Sequence, residues 1–429
     1  MSQKKKGPLQ RKQRVPYSEN MNREQDVGYQ PLASMDAGKH RGDEIMPWRS
    51  MDIKRLDYLD SIRGLAACIV LMRHCWNASI RPLSGIGVAF YSTTNFLSYV
   101  TQKFLAGYTA VIIFFVLSGF VLAYSLLKQP ISYSGFTIKR LFRIYPLFIL
   151  VIVASYALHL IVGVNHQVSP EILERSNPDL SFASLLKNLA LWGTGAAHSL
   201  DGVTWSLVHE MRISLIFPFI LLAVRRHGWC ALLFFALLSL ACTILEWHTT
   251  GKISTGLDET TFFTSFLATG FFIVFFAAGA LLAINRTRVA LRIANFPRWK
   301  KISLLTIVAI CVLKSSDINS LDGIVSYYMN GMGAVALIAV ALSLRQFRDV
   351  LDHDVPIWLG RISYSLYLVH LPIIYVVTQT IGESWSGIQK SAAVIVLSLL
   401  AAELMARFIE FPSIRLGKRL CQRASASNA

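Results

Sequence analysis

From Leu56 onward the chain repeats one pattern: an apolar run, a short polar break, then another apolar run. Ten such runs are legible, at residues 61–80, 104–127, 144–164, 205–224, 229–247, 262–284, 302–313, 324–344, 362–380 and 388–411. A helix needs about 20 residues to cross ~30 Å of hydrocarbon, and only the seventh run falls well short. The pattern predicts an all-α fold, a polytopic membrane bundle of about ten transmembrane helices. The longest break, residues 165–204, is a candidate functional loop, and within it 182–191 reads as an amphipathic interfacial helix or a re-entrant segment. Residues 1–55 differ: they are polar and basic with no sustained period, which predicts a disordered N-terminal tail. No apolar stretch follows the basic start, so this is not a cleavable signal peptide. Met51 stands just before the organised part, and a chain beginning there is the alternative reading.

Composition supports the membrane assignment. Hydrophobic residues make up 54% of the chain and charged residues 16%, against about 25% charged in soluble domains; the mean hydropathy is +0.48. This balance excludes a disordered chain, a collagen-like fibre and a disulfide scaffold. The six cysteines lack CxxC spacing and mostly sit in apolar runs, where they read as small core residues.

The net charge of +17, from 42 Lys and Arg against 25 Asp and Glu, follows the topology. With the N-terminus in the cytoplasm, the inner breaks receive Lys128, Lys139, Arg140 and Arg143, then Arg225 and Arg226, then the group from Arg286 to Lys301, then Arg345 and Arg348. Arg415, Lys418, Arg419 and Arg423 close the chain on the same side, with residues 418–429 as a cytoplasmic tail. Outer breaks receive only scattered cations: Arg81, Lys103, Arg175, Lys187 and Lys252. Basic residues on the cytoplasmic side orient membrane helices, so the charge calls for no nucleic-acid partner.

Ionisable groups inside spans are costly and usually face a polar cavity or a partner. Arg63 and His74 are eleven positions apart, three helical turns plus about 20°, so they share a face with His74 roughly 16 Å further along. Arg63 alone would read as a snorkelling side chain, and His74 alone as a structural one; the pair suggests a polar track. Ser118-Gly119 favours close helix packing, with passage of a ligand chain as the alternative. Lys139, Arg140 and Arg143 read as orientation signal and lipid contact, and equally as what a polyphosphate cofactor needs at the inner mouth. Ser206 and Glu210 share a face; Arg212 is too close in register to pair with Glu210, so another span must supply its partner. Ser363, Tyr367 and His370 form a further one-sided set, and Glu403, Arg407 and Glu410 an ion-pair ladder of structural character. There is no HExxH, Walker loop or GxSxG elbow, and no spacing that argues for a metal.

These segments, in order, resemble the integral membrane acyltransferases of acyltransferase family 3. The resemblance rests on Arg63-x10-His74, on Phe114–Phe120 with its Ser-Gly-Phe ending, and on Lys139-Arg140-x2-Arg143-x2-Pro146. It continues through Trp205-Ser206-Leu207-x2-Glu210, the stretch from Gly360 through Ser363, Tyr364, Tyr367 and His370 to Pro372, and Glu410-Phe411-Pro412. It covers residues 56–417, close to the whole organised chain. Two departures stand out. Lys139 replaces the usual Arg, and Met211-Arg212-Ile213-Ser214 follow Glu210 where the family often has a second acid and an aromatic pair. No soluble lipase-like domain of the kind some relatives carry is present in this sequence.

The resemblance implies transfer of an acyl group, commonly acetyl, from cytoplasmic acyl-CoA to a hydroxyl of a sugar, lipid-linked glycan or secondary metabolite. It implies catalytic roles for His74, Glu210 and Arg63 and donor binding by Arg63, Lys139, Arg140, Arg143 and Ser118. Acceptor binding would fall to Trp205, Ser206, Tyr367 and His370. An imidazole titrating near 6.5 suits proton transfer at neutral pH, which makes His74 a candidate base; an acyl-His intermediate is the competing route. The expected partners are the acyl donor, a hydroxyl acceptor and the bilayer, and the expected location is a bacterial inner membrane. A transporter or flippase of an acylated substrate and a non-catalytic scaffold are the rival classes.

Overall fold

The structure is a computed structural model that describes residues 56–80, 107–163, 179–190, 200–251, 261–314, 321–381 and 385–426. The N-terminal tail, most of the 165–204 loop and the outer cations Arg81, Lys103, Arg175 and Lys252 lie outside the described residues. Every apolar run predicted above corresponds to a helix: α1 (Asp57–Cys75), α2 (Gly107–Lys128), α3 (Tyr133–Val162), α5 (Thr204–His227), α6 (Trp229–Thr250), α7 (Phe262–Ala294), α8 (Arg298–Leu313), α9 (Leu321–Ser343), α11 (Asp354–Thr380) and α12 (Gly387–Met405). Shorter helices α4 (Phe182–Leu189) and α10 (Arg345–Leu351) and a final helix α13 (Phe411–Ala426) complete the set, with π-helical turns at Trp76–Ile80 and Ala406–Glu410. No strand occurs among the described residues.

Eight helices are long and apolar enough to cross a membrane, one of them the continuous rod Gly387–Gln422 that joins α12 to α13. The two predicted spans outside that set have physical reasons. α1 carries Asp57, Asp60, Arg63 and Arg73 in 19 residues, and α8 has 16 residues, about 24 Å of helix.

Local chemistry starts these helices where they start. Ser132 caps α3 by accepting from the Gly135 N–H, and Thr261 with Thr264, and Ser386 with Gln389, form reciprocal capping boxes on α7 and α12. Ser132 sets the start of α3 well before the predicted span. Lys139, Arg140 and Arg143, expected in a loop, therefore lie on its first turns. The 418–429 segment, expected as a tail, is helical as far as Ala426; α13 packs on α3, with Cys421 against Gly135 and Gly417 against Phe142.

Two close contacts organise the bundle. A Cβ on Gly119 of α2 would collide with the Phe276 backbone of α7, and one on Gly279 with the Val116 carbonyl. Phe115, Phe272 and Phe276 fill the core beside this crossing. The second contact joins α1 to α11, where a Cβ on Gly64 would collide with the backbone of Leu359 and Gly360 and one on Gly360 with Asp60. Small residues at such sites let backbones touch. The outer face of α6, with Leu233, Phe234, Leu237 and Leu240 exposed, is suited to lipid.

Candidate active site

Because α1 and α11 meet at Gly64 and Gly360, residues at equal distance along each helix are brought level. Ten residues beyond the glycines stand His74 and His370, with ring centroids 5.3 Å apart. On the other side of the contact, three residues before Gly64, the Ser61 hydroxyl donates to the carbonyl of Leu351, the last residue of α10. The two helices thus run parallel, with a cationic end near Arg63 and an imidazole end at His74.

The cationic end draws on four elements. Arg63 comes from α1, Arg140 and Arg143 from α3, Glu210 from α5, and Glu410 from the π-helical turn. The charges of Arg63 and Arg140 act on Glu210, and those of Arg63 and Arg143 on Glu410. Asp60 lies 3.8 Å from Arg63. Arg140 is 8% exposed and Glu410 3%, so these are interior groups. Glu210 Oε1 accepts from the Ser118 hydroxyl at 3.1 Å; the partner it required from another span comes from α2. Glu410 accepts from Ser365 at 2.7 Å, and Tyr364 closes the group by donating to the Ile144 carbonyl at 2.7 Å. Among the described residues Arg140 and Arg143 form no ion pair within 4.0 Å, which leaves their fork of N–H donors for an anion.

The expected ladder of Glu403, Arg407 and Glu410 is only half present. Arg407 pairs with Glu403, which also accepts from the Trp358 indole at 2.7 Å. The π-helical turn adds a residue to the last turn, and Glu410 faces the bundle interior instead. Arg212 faces away from Glu210, donating to Ser265 and Thr269 of α7 with its guanidinium 4.2 Å from the Phe266 ring centroid.

At the imidazole end the Tyr367 ring lies 6.0 Å from His370 and 5.7 Å from Phe114. Its hydroxyl is 2.8 Å from Ser206 Oγ and also donates to the Val203 carbonyl at 3.3 Å. A narrow cleft of about 30 Å³ runs from Arg63 and Glu210 to Ser206 and Tyr367, with Phe114 and Ser118 in its wall.

The structure therefore gathers Arg63, Arg140, Arg143, Ser118 and Glu210 at one end and His74, His370, Tyr367 and Ser206 at the other. Lys139 is half-buried, and no ion pair joins it to the cluster among the described residues. Trp205 packs into the core against Tyr108, His209 and Phe272 and does not line the cleft. Glu410 and Tyr364 are site residues that sequence reasoning missed; both stood within motifs of the family resemblance, but the α-helical spacing placed Glu410 in a structural ladder. No group of three or more His, Cys, Asp or Glu suited to a metal occurs among the described residues.

A helical, multi-pass membrane fold around a buried cluster of arginines, carboxylates and histidines defines an integral membrane protein with an internal polar site. The acyltransferase-domain family matches residues 56–407, and the chain belongs to it, an acyltransferase by family. Among its relatives, the O-acetyltransferase OatA of Staphylococcus aureus is 25% identical over 396 residues, 85% of this chain and 60% of that protein. Nodulation protein 10 of Rhizobium leguminosarum bv. viciae is 24% identical over 380 residues, 85% of this chain and 95% of that protein. The chain thus spans 60% of the length of the staphylococcal relative. No solved structure matches.

Proposed function

We propose that the protein is a membrane-embedded O-acyltransferase. In this reading it moves an acyl group, acetyl first of all, from cytoplasmic acyl-CoA to a hydroxyl of a carbohydrate, glycolipid or other membrane-accessible acceptor. The observation that carries the reading is the convergence of Arg63, Arg140 and Arg143 inside the bundle, with two of the guanidiniums free of ion pairs among the described residues. Coenzyme A is a polyanion with a long flexible arm. Its phosphates suit bidentate guanidinium contacts, and its thioester would extend along the cleft past Ser118 towards His74. The donor name of the staphylococcal relative favours acetyl.

His74 takes the acceptor O–H proton as the oxygen attacks the thioester carbonyl carbon. The carbon–sulfur bond then breaks, and the imidazolium returns the proton to the departing thiolate. Glu210, held by Ser118, positions the donor end, while Ser206, Tyr367 and His370 hold the acceptor. Ten spans with both termini in the cytoplasm, in a bacterial inner membrane, complete the proposal; its support is the basic bias of the inner breaks.

The test is purified protein in detergent, acetyl-CoA and a membrane glycan extract, with free thiol and ester product followed together. His74→Ala should lose transfer, by roughly 100-fold or more, at unchanged protein level. Normal transfer in that variant removes the central assignment. A transporter or flippase would leave the thioester intact, since detergent leaves no second compartment.

A further inference from the structure

The segment leading into α5 carries a carboxyl that the mechanism above does not use. Asp201 lies outside the membrane helices, three residues before Thr204, yet it is only 2% exposed. Its backbone carbonyl accepts from the Thr204 hydroxyl at 2.8 Å, and its Oδ1 accepts a long bond from the Val203 N–H at 3.4 Å. Its Oδ2 is buried and has no hydrogen-bond partner among the described residues. The neighbouring Gly202 faces Leu371 of α11, and the Asp201 charge acts on Tyr367. This carboxyl therefore sits against the same turn of α11 that presents Tyr367 and His370.

His370 supplies a second unsatisfied atom. Its Nδ1 is 3.1 Å from the Leu366 carbonyl. A carbonyl only accepts, so Nδ1 carries the proton, and Nε2 of the neutral ring is a bare lone pair. That Nε2 is likewise buried and without a partner among the described residues. Buried polar atoms are nearly always paired, and an unmet one asks for an explanation. A bare imidazole nitrogen needs a donor, which an anion that only accepts cannot supply. A hydroxyl both donates and accepts, so it satisfies the carboxyl in either protonation state; burial pushes the Asp201 carboxyl up to about 8.

We infer that Asp201 is an acceptor-binding residue: its Oδ2 and His370 Nε2 take neighbouring hydroxyls of one polyhydroxy acceptor and hold it beside His74. This rests on the acyl-transfer reading and adds to it the residue that tells a polyol from a simple alcohol.

The experiment uses full-length protein in nanodiscs with acetyl-CoA and two acceptor probes. One is methyl α-D-glucopyranoside. The other is cyclohexylmethanol, which offers one primary hydroxyl on a six-membered ring without neighbouring hydroxyls. Thiol release and ester mass are read for wild type, Asp201→Asn and Asp201→Leu. Sites that hydrogen-bond a substrate hydroxyl discriminate strongly against analogues lacking it. Wild type should prefer the glucoside by about tenfold or more in kcat/KM. Both substitutions should cut that preference by about tenfold, mainly through the KM for the glucoside. The preference is a ratio within one sample, so partial loss of folded protein does not move it. Equal use of the two probes by wild type, consumption of acetyl-CoA with neither probe acylated, or an undiminished preference in both variants overturns the inference. No thiol release under any condition overturns the acyl-transfer reading itself, a separate and recognisable result.

Discussion

Arg140 is the cation whose role is most sharply separable from packing. It is buried at the cationic end, Glu210 acts on it, and no ion pair occupies its donors among the described residues. A guanidinium bound to phosphate contributes hydrogen bonds to a charged group, each about 1.5–3 kcal/mol. Arg140→Glu should therefore raise the KM for acetyl-CoA by roughly 10- to 100-fold, with the acceptor KM little changed. Initial rates with each substrate varied in turn distinguish the two, and a change confined to the acceptor would move the donor site elsewhere. Asp201 makes a different prediction, about stability. Its carboxyl ionises at about 8 in the fold against a reference of 3.8. Between those values the unfolded chain has released a proton that the folded protein still holds, so stability falls as pH rises through this window. Asp201→Asn has no such proton to lose. From pH 5 to pH 8 the Tm of wild type should drop relative to that variant by several degrees, of order 2–4 °C per kcal/mol. Parallel melting curves across that range would contradict the buried, protonated carboxyl.

At the scale of elements, the α1–α11 contact sets how the site is built. Gly64 and Gly360 allow the two backbones to touch, and His74 and His370 owe their 5.3 Å separation to the equal offset from those glycines. Gly64→Val puts a branched side chain into the Leu359 backbone, where overpacking costs typically 1–3 kcal/mol. The expected outcome is a lower melting temperature and, in the protein that still folds, transfer reduced by about tenfold or more as the histidines part. Chromatographic homogeneity together with transfer rate checks both halves, and full activity would show that the glycine contact does not position the site. Hydropathy located these helices because lipid imposes its demand residue by residue along each span. It did not reveal that α1 and α11 are neighbours, since the glycines that join them are 296 positions apart in the chain. Nor did spacing predict the place of Glu410. The reading assumed 3.6 residues per turn, and the π-helical turn at Ala406–Glu410 breaks that assumption locally. The basic motif was legible as chemistry but misplaced as structure, because the Ser132 cap lies below the point where hydropathy rises.

For the molecule as a whole, the +17 charge divides between orientation and chemistry. Cations on the ends of helices, such as Arg286, Arg288 and Arg292 on α7, need only remain on one side of the bilayer in the proposed topology. Arg63, Arg140 and Arg143 lie among carboxylates in the interior, where a charge without purpose would be selected against by its desolvation. Both groups sit at the same end in the proposed topology, which makes the sidedness of the donor a test of the entire arrangement. Acetyl-CoA carries several negative charges and does not cross a bilayer unaided. Inside-out membrane vesicles containing the protein should consume external acetyl-CoA, whereas sealed right-side-out vesicles should do so only after permeabilisation. The same vesicles report orientation independently through a reporter domain fused after Ala429, digested by external protease only in the inside-out preparation. Consumption by sealed right-side-out vesicles with that reporter protected would place the donor entrance at the histidine end. The arginine cluster would then have to serve structure or acceptor recognition, although membership of the acyltransferase family would stand.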